Sequence, residues 1–292
     1  MSFAIVTDTA GNLPNRLLRQ RGIGVLPLSF SVDGVEQSVP TQEEFDAAGF
    51  FAAMRAGARV VTSQVPPQAY LDCFSPLLAA GRDVLFVSIT SGISGTYQSA
   101  LMAAKELLET YPGRRIRCVD TGTASLGEGL QALRAADLRD AGKTLDETVD
   151  ILEEERFHMC SVFTVGDLKY LRATGRLSGV GALLGTMLDI KPILKGDETF
   201  HIVLAGKVRG RRRVIEELAA RYEKYAVAPE EQLVGVAHCD CRADADALIA
   251  LLRRGRAPKD VLLVDYEPVT GSHLGPGSLA LFFRGDAEVR SR

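Results

Sequence analysis

The segment SITSGISGTYQSA, residues 88–100, concentrates groups that can hold a small anion. Its first nine residues include three Ser, two Thr and two Gly, more hydrogen-bonding capacity than a plain connection uses. DVLFV before it has the continuous apolar character of a buried strand, and TYQSALMAAKELLET after it reads as a helix. A helix start offers unpaired backbone N–H groups, and Gly92 and Gly95 let a ligand approach them. The hydroxyls of Ser94 and Thr96 add donors. A phosphate-binding P-loop needs a Lys that does not follow Gly95, and two glycines do not make GxGxxG. GxSxG fails because Thr96 takes the last position. A carboxylate needs only two or three donors, and it fits.

Other residues with chemical capacity are scattered. TDTAGN (7–12), TSQVPP (62–67) and DTGTAS (120–125) also follow predicted strands, which places all four polar turns at the carboxyl edge of a parallel sheet. TDTAGN and DTGTAS by themselves show only the polarity that any such edge has. His273 stands in GSHLGPG, which reads as a flexible loop between two strands. His158, His201 and His238 do not cluster at any ligand spacing, so no metal and no cofactor are expected. KVRGRRR (207–213) sets five positive charges in seven residues at the start of a predicted helix. The helix dipole disfavours cations there, which points to an anionic partner. VGALLGTMLDIKPIL (180–194) is apolar on nearly every face and reads as a helix, either plain core or the wall of an apolar ligand site.

The elements that position these residues follow a rhythm. Strand, polar turn and helix alternate to about residue 155, which argues for a parallel sheet with crossover helices. One of the helices is expected to open at Thr41, with Glu44 three residues on as a capping box. After LDETVDILEEERF, paired strands mix with helices. The expected fold is α/β: an N-terminal parallel-sheet α/β/α domain over 1–158 and a C-terminal α+β domain with a mixed sheet over 159–292.

Composition agrees with a folded domain pair. The chain has 292 residues, 46% of them hydrophobic and 24% charged, enough for a core and too apolar for disorder. A net charge of −3 argues against a general nucleic-acid binder. No apolar run approaches the length of a membrane span, and MSFAIVTDTAGNLP reads as a first strand, not a signal peptide. Cys73, Cys118, Cys160, Cys239 and Cys241 form no disulfide framework, so a reducing, cytoplasmic setting is expected.

Taken together, IVTDTAGNLP, VTSQVPPQAY, SITSGISGTYQSA, VDTGTASLG, LKYLRATGRLS, LLGTMLDIKPIL, KVRGRRR and GSHLGPGSLALFF resemble the DegV family of bacterial fatty-acid-binding proteins. They run in the family's order along nearly the whole chain. TDTA stands where the family usually has TDS, ATGRLS for GGRIS, and GSHLGPG for GTHTGPG. The resemblance implies a non-catalytic carrier with a long-chain fatty acid between two domains. It also implies a partner kinase of dihydroxyacetone-kinase type that phosphorylates the bound carboxyl group for phospholipid synthesis. On this basis Thr62, Ser94 and Gly95 would bind the carboxylate, with Arg176 and His273 near the head group. Leu183, Leu184, Met187, Leu188 and Ile190 would line the acyl chain, and Lys207, Arg209, Arg211, Arg212 and Arg213 would dock the kinase.

Two other classes compete with the carrier. A serine hydrolase would use Ser94 as nucleophile and His273 as base, with Asp8, Asp120 or Asp240 orienting the His. A DNA-binding regulator would use KVRGRRR, against the net charge and without a helix-turn-helix pattern.

Overall fold

The runs AIVTD and VLFVS are buried at every position, as strands covered on both faces must be. The structure is a computed structural model that describes residues 3–39, 44–177, 189–286 and 289–291. In chain order the first half holds β1 (Ala4–Asp8), α1 (Asn15–Arg21), β2 (Ile23–Leu26), β3 (Ser29–Val32), β4 (Val35–Ser38), α2 (Ala47–Arg55) and β5 (Val60–Ser63). It continues with α3 (Pro67–Ala79), β6 (Val84–Ser88), α4 (Thr96–Thr110), β7 (Ile116–Asp120), α5 (Leu126–Asp140) and α6 (Leu145–Glu155). The second half holds β8 (Met159–Thr164), α7 (Lys169–Thr174), β9 (Ile190–Gly196), β10 (Ile202–Arg209), α8 (Arg211–Tyr225) and β11 (Leu233–His238). It ends with α9 (Arg242–Arg254), β12 (Asp260–Asp265), α10 (Pro268–Leu274) and β13 (Leu279–Arg284).

The chain divides into two compact units, Met1–Phe45 with Arg59–Arg156, and Asp46–Ala58 with Phe157–Arg292. A single cut at 158/159 has no place for Asp46–Ala58, which carries α2 into the second unit. The expected capping box also gives way: Thr41 lies outside the described residues, and α2 is capped by Asp46, whose carboxylate accepts from Gly49 N.

In the first unit β2-β1-β6-β7 form a parallel sheet. The three polar turns after β1, β6 and β7 therefore share its carboxyl edge. TSQVPP does not, because β5 belongs to a separate antiparallel sheet ordered β4-β3-β5. Asp33 and Gly34, both at positive φ, close the hairpin between β3 and β4 as a two-residue turn requires. Tyr70, Phe74 and Phe86 pack with rings 5.3 to 6.1 Å apart behind the central turn.

The second unit holds a mixed sheet ordered β10-β9-β8-β13-β11-β12, antiparallel except for β11 with β12. Helices α8 and α9 bury Val214, Leu218, Tyr222, Leu248 and Leu252 against it, with Tyr222 edge-on to Phe283 at 5.2 Å. α2 is fixed in this unit by an ion pair from Arg55 to Asp240 and by Phe51 packed on Gly271. No helix among the described residues is long and apolar enough to cross a membrane.

One close approach sets the carboxyl edge. A Cβ on Gly129 of α5 would stand 2.3 Å from the backbone oxygen of Gly11. Gly129→Ala gains about 1 kcal/mol of helix propensity. It must also push the 9–12 turn away, an overpacking cost of about 1–3 kcal/mol that backbone cannot relieve by rotating. The expected net outcome is a loss of up to roughly 2 kcal/mol in urea unfolding, with a loosened edge reported by hydrogen exchange at residues 9–12.

Candidate functional site

The 88–96 turn is built by hydrogen bonds from both neighbouring strands. Asp8 Oδ2 accepts from Ile89 N at 3.3 Å, and Asp120 Oδ2 accepts from Ser91 N at 3.2 Å. Thr90 N donates to Thr123 O at 2.9 Å, and Ser94 N to Thr90 O at 3.2 Å. The Ser94 hydroxyl donates to Thr96 Oγ1 at 3.0 Å and accepts from Thr96 N at 3.2 Å. Tyr70 OH ties the first helical turn of α4 through Thr96 O at 3.0 Å. Ser94 is half-buried and Gly95 exposed, so the turn faces outward at the start of a 15-residue helix.

Gly95 is fixed by a neighbour as well as by its own turn. Gln64 Oε1 would lie 2.1 Å from a Cβ there, while Gln64 Nε2 donates to Ser99 Oγ at 2.7 Å. Gln64 thus joins TSQVPP to the anion-type turn, a role the sequence reading missed. Thr62 lies two residues earlier within β5, opposite Phe30 and half-buried, so it is a strand residue and not a turn residue.

The second unit brings Arg176 and His273 together. His273 lies in the last turn of α10, where the sequence reading expected a loop. The carboxylate of Glu267 nucleates that short helix by accepting from Val269 N and Thr270 N, both at 2.6 Å. Tyr170 of α7 packs its ring on Gly275 at the helix end. Burial, reinforced by the positive charge of Arg176, pulls His273 down to about 4, so its ring is neutral near pH 7.

The basic run is divided between elements. Lys207 and Arg209 are exposed on β10, Gly210 turns at φ 91°, and only Arg211, Arg212 and Arg213 open α8. Arg211 pairs with Asp244 at 2.8 Å, and Arg212 with Glu216 at 2.9 Å. The crowding expected at the helix start is thus partly relieved by acids. Ile190 begins strand β9 and is not part of a helix. Leu183, Leu184, Met187 and Leu188 lie outside the described residues.

These bonds give little to a hydrolase. The Ser94 proton goes to Thr96, not to a histidine. Asp8 and Asp120 spend their oxygens on backbone N–H groups, and Asp240 pairs with Arg55. The arrangement in the first unit suits holding an anion, with an outward helix start flanked by hydroxyls.

The family model described as "Uncharacterised protein, DegV family" matches residues 2–286. The chain therefore belongs to the DegV family. It is 36% identical to a DegV domain-containing protein of Clostridium perfringens, over 98% of each chain. Among solved structures it resembles a DegV family protein from Thermus thermophilus described by its fatty acid binding. The TM-score is 0.89 at 30% identity, covering 98% of this chain and 100% of that one. DegV from Bacillus subtilis, described as a fatty acid binding protein, matches with TM-score 0.81 at 26% identity over 98% and 100% of the two chains.

The His273 environment gives a signed expectation. A folded-state value of about 4 against an ordinary 6.5 means the unfolded chain binds the proton more readily. Stability from this group is full above about pH 6.5 and is lost as pH falls toward about 4, by up to about 3 kcal/mol. His273→Gln should remove that acid-side slope from urea melts, and Arg176→Gln should move the His273 titration upward by NMR. An unmoved titration would mean that Arg176 does not act on the ring.

Proposed function

We propose that this protein binds a long-chain fatty acid and presents its carboxylate to a separate kinase, without catalysing a reaction itself. The observation that carries the reading is the outward-facing Ser94–Gly95–Thr96 start of α4, clamped by Asp8 and Asp120, in a chain whose Thermus thermophilus relative is described as binding fatty acid. In this reading Ser94, Gly95 and Thr62 take the carboxylate. Arg176 and His273 are assigned to the head group by family resemblance, and their pairing within the second unit supports treating them together. Leu183, Leu184, Met187, Leu188 and Ile190 are proposed for the acyl chain.

Magnitudes favour a division of labour. At ~0.8 kcal/mol per buried CH₂, about 14 methylenes give roughly 11 kcal/mol gross. Head-group hydrogen bonds add ~2–5 kcal/mol net. The tail supplies affinity and the turn supplies orientation, which a partner acting on the carboxyl group requires. That partner is proposed to be a kinase of dihydroxyacetone-kinase type acting in the cytoplasm, with Lys207, Arg209, Arg211, Arg212 and Arg213 as its docking surface.

The test is lipid occupancy. The purified protein should carry a stoichiometric fatty acid, and Ser94→Ala or Thr62→Ala should each weaken palmitate binding by about 1–2 kcal/mol. Parent-like binding in the double mutant would place the carboxylate elsewhere. Docking is separable from binding. Arg209→Glu with Arg213→Glu spares the Arg211–Asp244 and Arg212–Glu216 pairs. It should leave occupancy unchanged while abolishing kinase-dependent acyl-phosphate formation. Normal acyl-phosphate formation would end the docking assignment.

A further inference from the structure

We infer that Gln64 is a further head-group residue: anchored by Ser99, its carboxamide presents an N–H beside Gly95 to the ligand's carboxylate and selects for that group. The ligand is that of the fatty-acid reading, on which this role rests.

The segment that carries Gln64 is stiff. β5 ends at Ser63, Val65 is fully buried, and Pro66 and Pro67 lead into α3 with their φ fixed by the ring. Two bonds tie this segment to α4. Gln64 Nε2 donates to Ser99 Oγ at 2.7 Å, and Tyr70 OH donates to Thr96 O at 3.0 Å. Ser99 is buried, and its N–H donates to Gly95 O at 3.0 Å, so the anchor belongs to the helical turn that Gly95 opens. Gly95 itself stands at φ −79° and ψ 0°, a negative φ that needs no glycine. A Cβ there would lie 2.1 Å from Gln64 Oε1 and 3.1 Å from its Cδ. The glycine therefore serves the carboxamide above it and not the path of the turn.

Nε2 carries two protons, and Ser99 takes one. Among the described residues no acceptor takes the second, and Gln64 is exposed, so that proton faces water. An incoming carboxylate displaces the water and breaks no bond within the protein. Ser94 differs. Its one proton goes to Thr96 Oγ1 at 3.0 Å, so it donates to a ligand only by giving up that bond. Because Ser99 already fixes the Gln64 side chain, little conformational freedom is lost on binding. A hydrogen bond to a charged acceptor is about twice as strong as one to a neutral acceptor. A donor held in place beside Gly95 therefore favours a carboxylate over an uncharged head group on the same chain.

The experiment uses the full chain and compares equilibrium binding of palmitate and hexadecanol, which share a chain and differ in head group. Gln64→Glu keeps the size, and the Ser99 hydroxyl can donate to it, but a carboxylate then faces the ligand in place of a donor. Palmitate affinity should fall by at least about tenfold while hexadecanol binding stays within about twofold. A merely structural role would lower both. Gly95→Ala should give the same selective loss with little change in urea unfolding, because its Cβ meets the far end of a flexible side chain. Adding Gln64→Ala to Gly95→Ala should cost palmitate binding nothing more. An unchanged palmitate-to-hexadecanol ratio in Gln64→Glu, or a further loss in the double variant, overturns the role of Gln64 and leaves the fatty-acid reading standing. If Gln64→Glu fails to fold, Gln64→Met, of similar length and without a donor, is read in the same way. A wild type that takes up no palmitate overturns the fatty-acid reading and this role with it. The contact is then judged alone by the Gln64 side-chain amide signal in NMR spectra, which Gly95→Ala should shift and which, left unmoved, would overturn it.

Discussion

Where β1, β6 and β7 end, three turns share one edge and their backbone N–H groups, buried at Ile89 and Gly122, need acceptors. Side-chain carboxyls meet that need. Asp8 reaches Ile89 from one side and Asp120 reaches Ser91 from the other, while Asp120 also holds Gly122 N at 2.9 Å within its own turn. An unpaired buried N–H costs about 1–3 kcal/mol, so these acids set the path of the central turn. Everything distinctive about it follows from that path: the outward Ser94, the Thr96 hydroxyl beneath it, and Gly95 under the Gln64 side chain.

Much of this was legible in the amino-acid sequence. Continuous apolar runs marked β1 and β6, the alternation of strand and helix marked the parallel sheet, and the hydroxyl density of 88–96 marked the turn. What could not be read depended on contacts between distant residues. VVTS declares a strand but not its partner, so β5 was assigned to the parallel sheet although it pairs with β3. PVTGSHLGPG looks like a loop because it is rich in Pro and Gly. Its first half is helical because the Glu267 side chain supplies the cap and the Tyr170 ring packs at its end. Asp8 and Asp120 read in sequence as polar turn residues and as candidate partners of a histidine; burial, which only the fold confers, is what makes them anchors of the central turn.

The charged surface shows the opposite economy. KVRGRRR was conspicuous in sequence, yet two of its arginines have acids beside them: the Arg211–Asp244 pair is half-buried, and the Arg212–Glu216 pair is exposed, a kind that contributes about 0–1 kcal/mol. The run is therefore cheap to keep, and its destabilising effect on α8 is smaller than five unpartnered charges would give. A surface with little stake in stability is one that a partner can use without cost to the fold.

Burial governs both inner ionisable sites, with opposite signs. Removing His273 from water disfavours its cation, so stability rises with pH between about 4 and 6.5. Removing Asp8 from water disfavours its anion, so stability falls with pH between 3.8 and about 7. The two slopes oppose each other over nearly the same range, one in each unit. The contributions of these two groups therefore largely offset each other under mild acidification. Between those values it is the unfolded chain that titrates, while the folded chain keeps His273 neutral and Asp8 protonated, so the two sites register acidity through stability and not through a change of local charge.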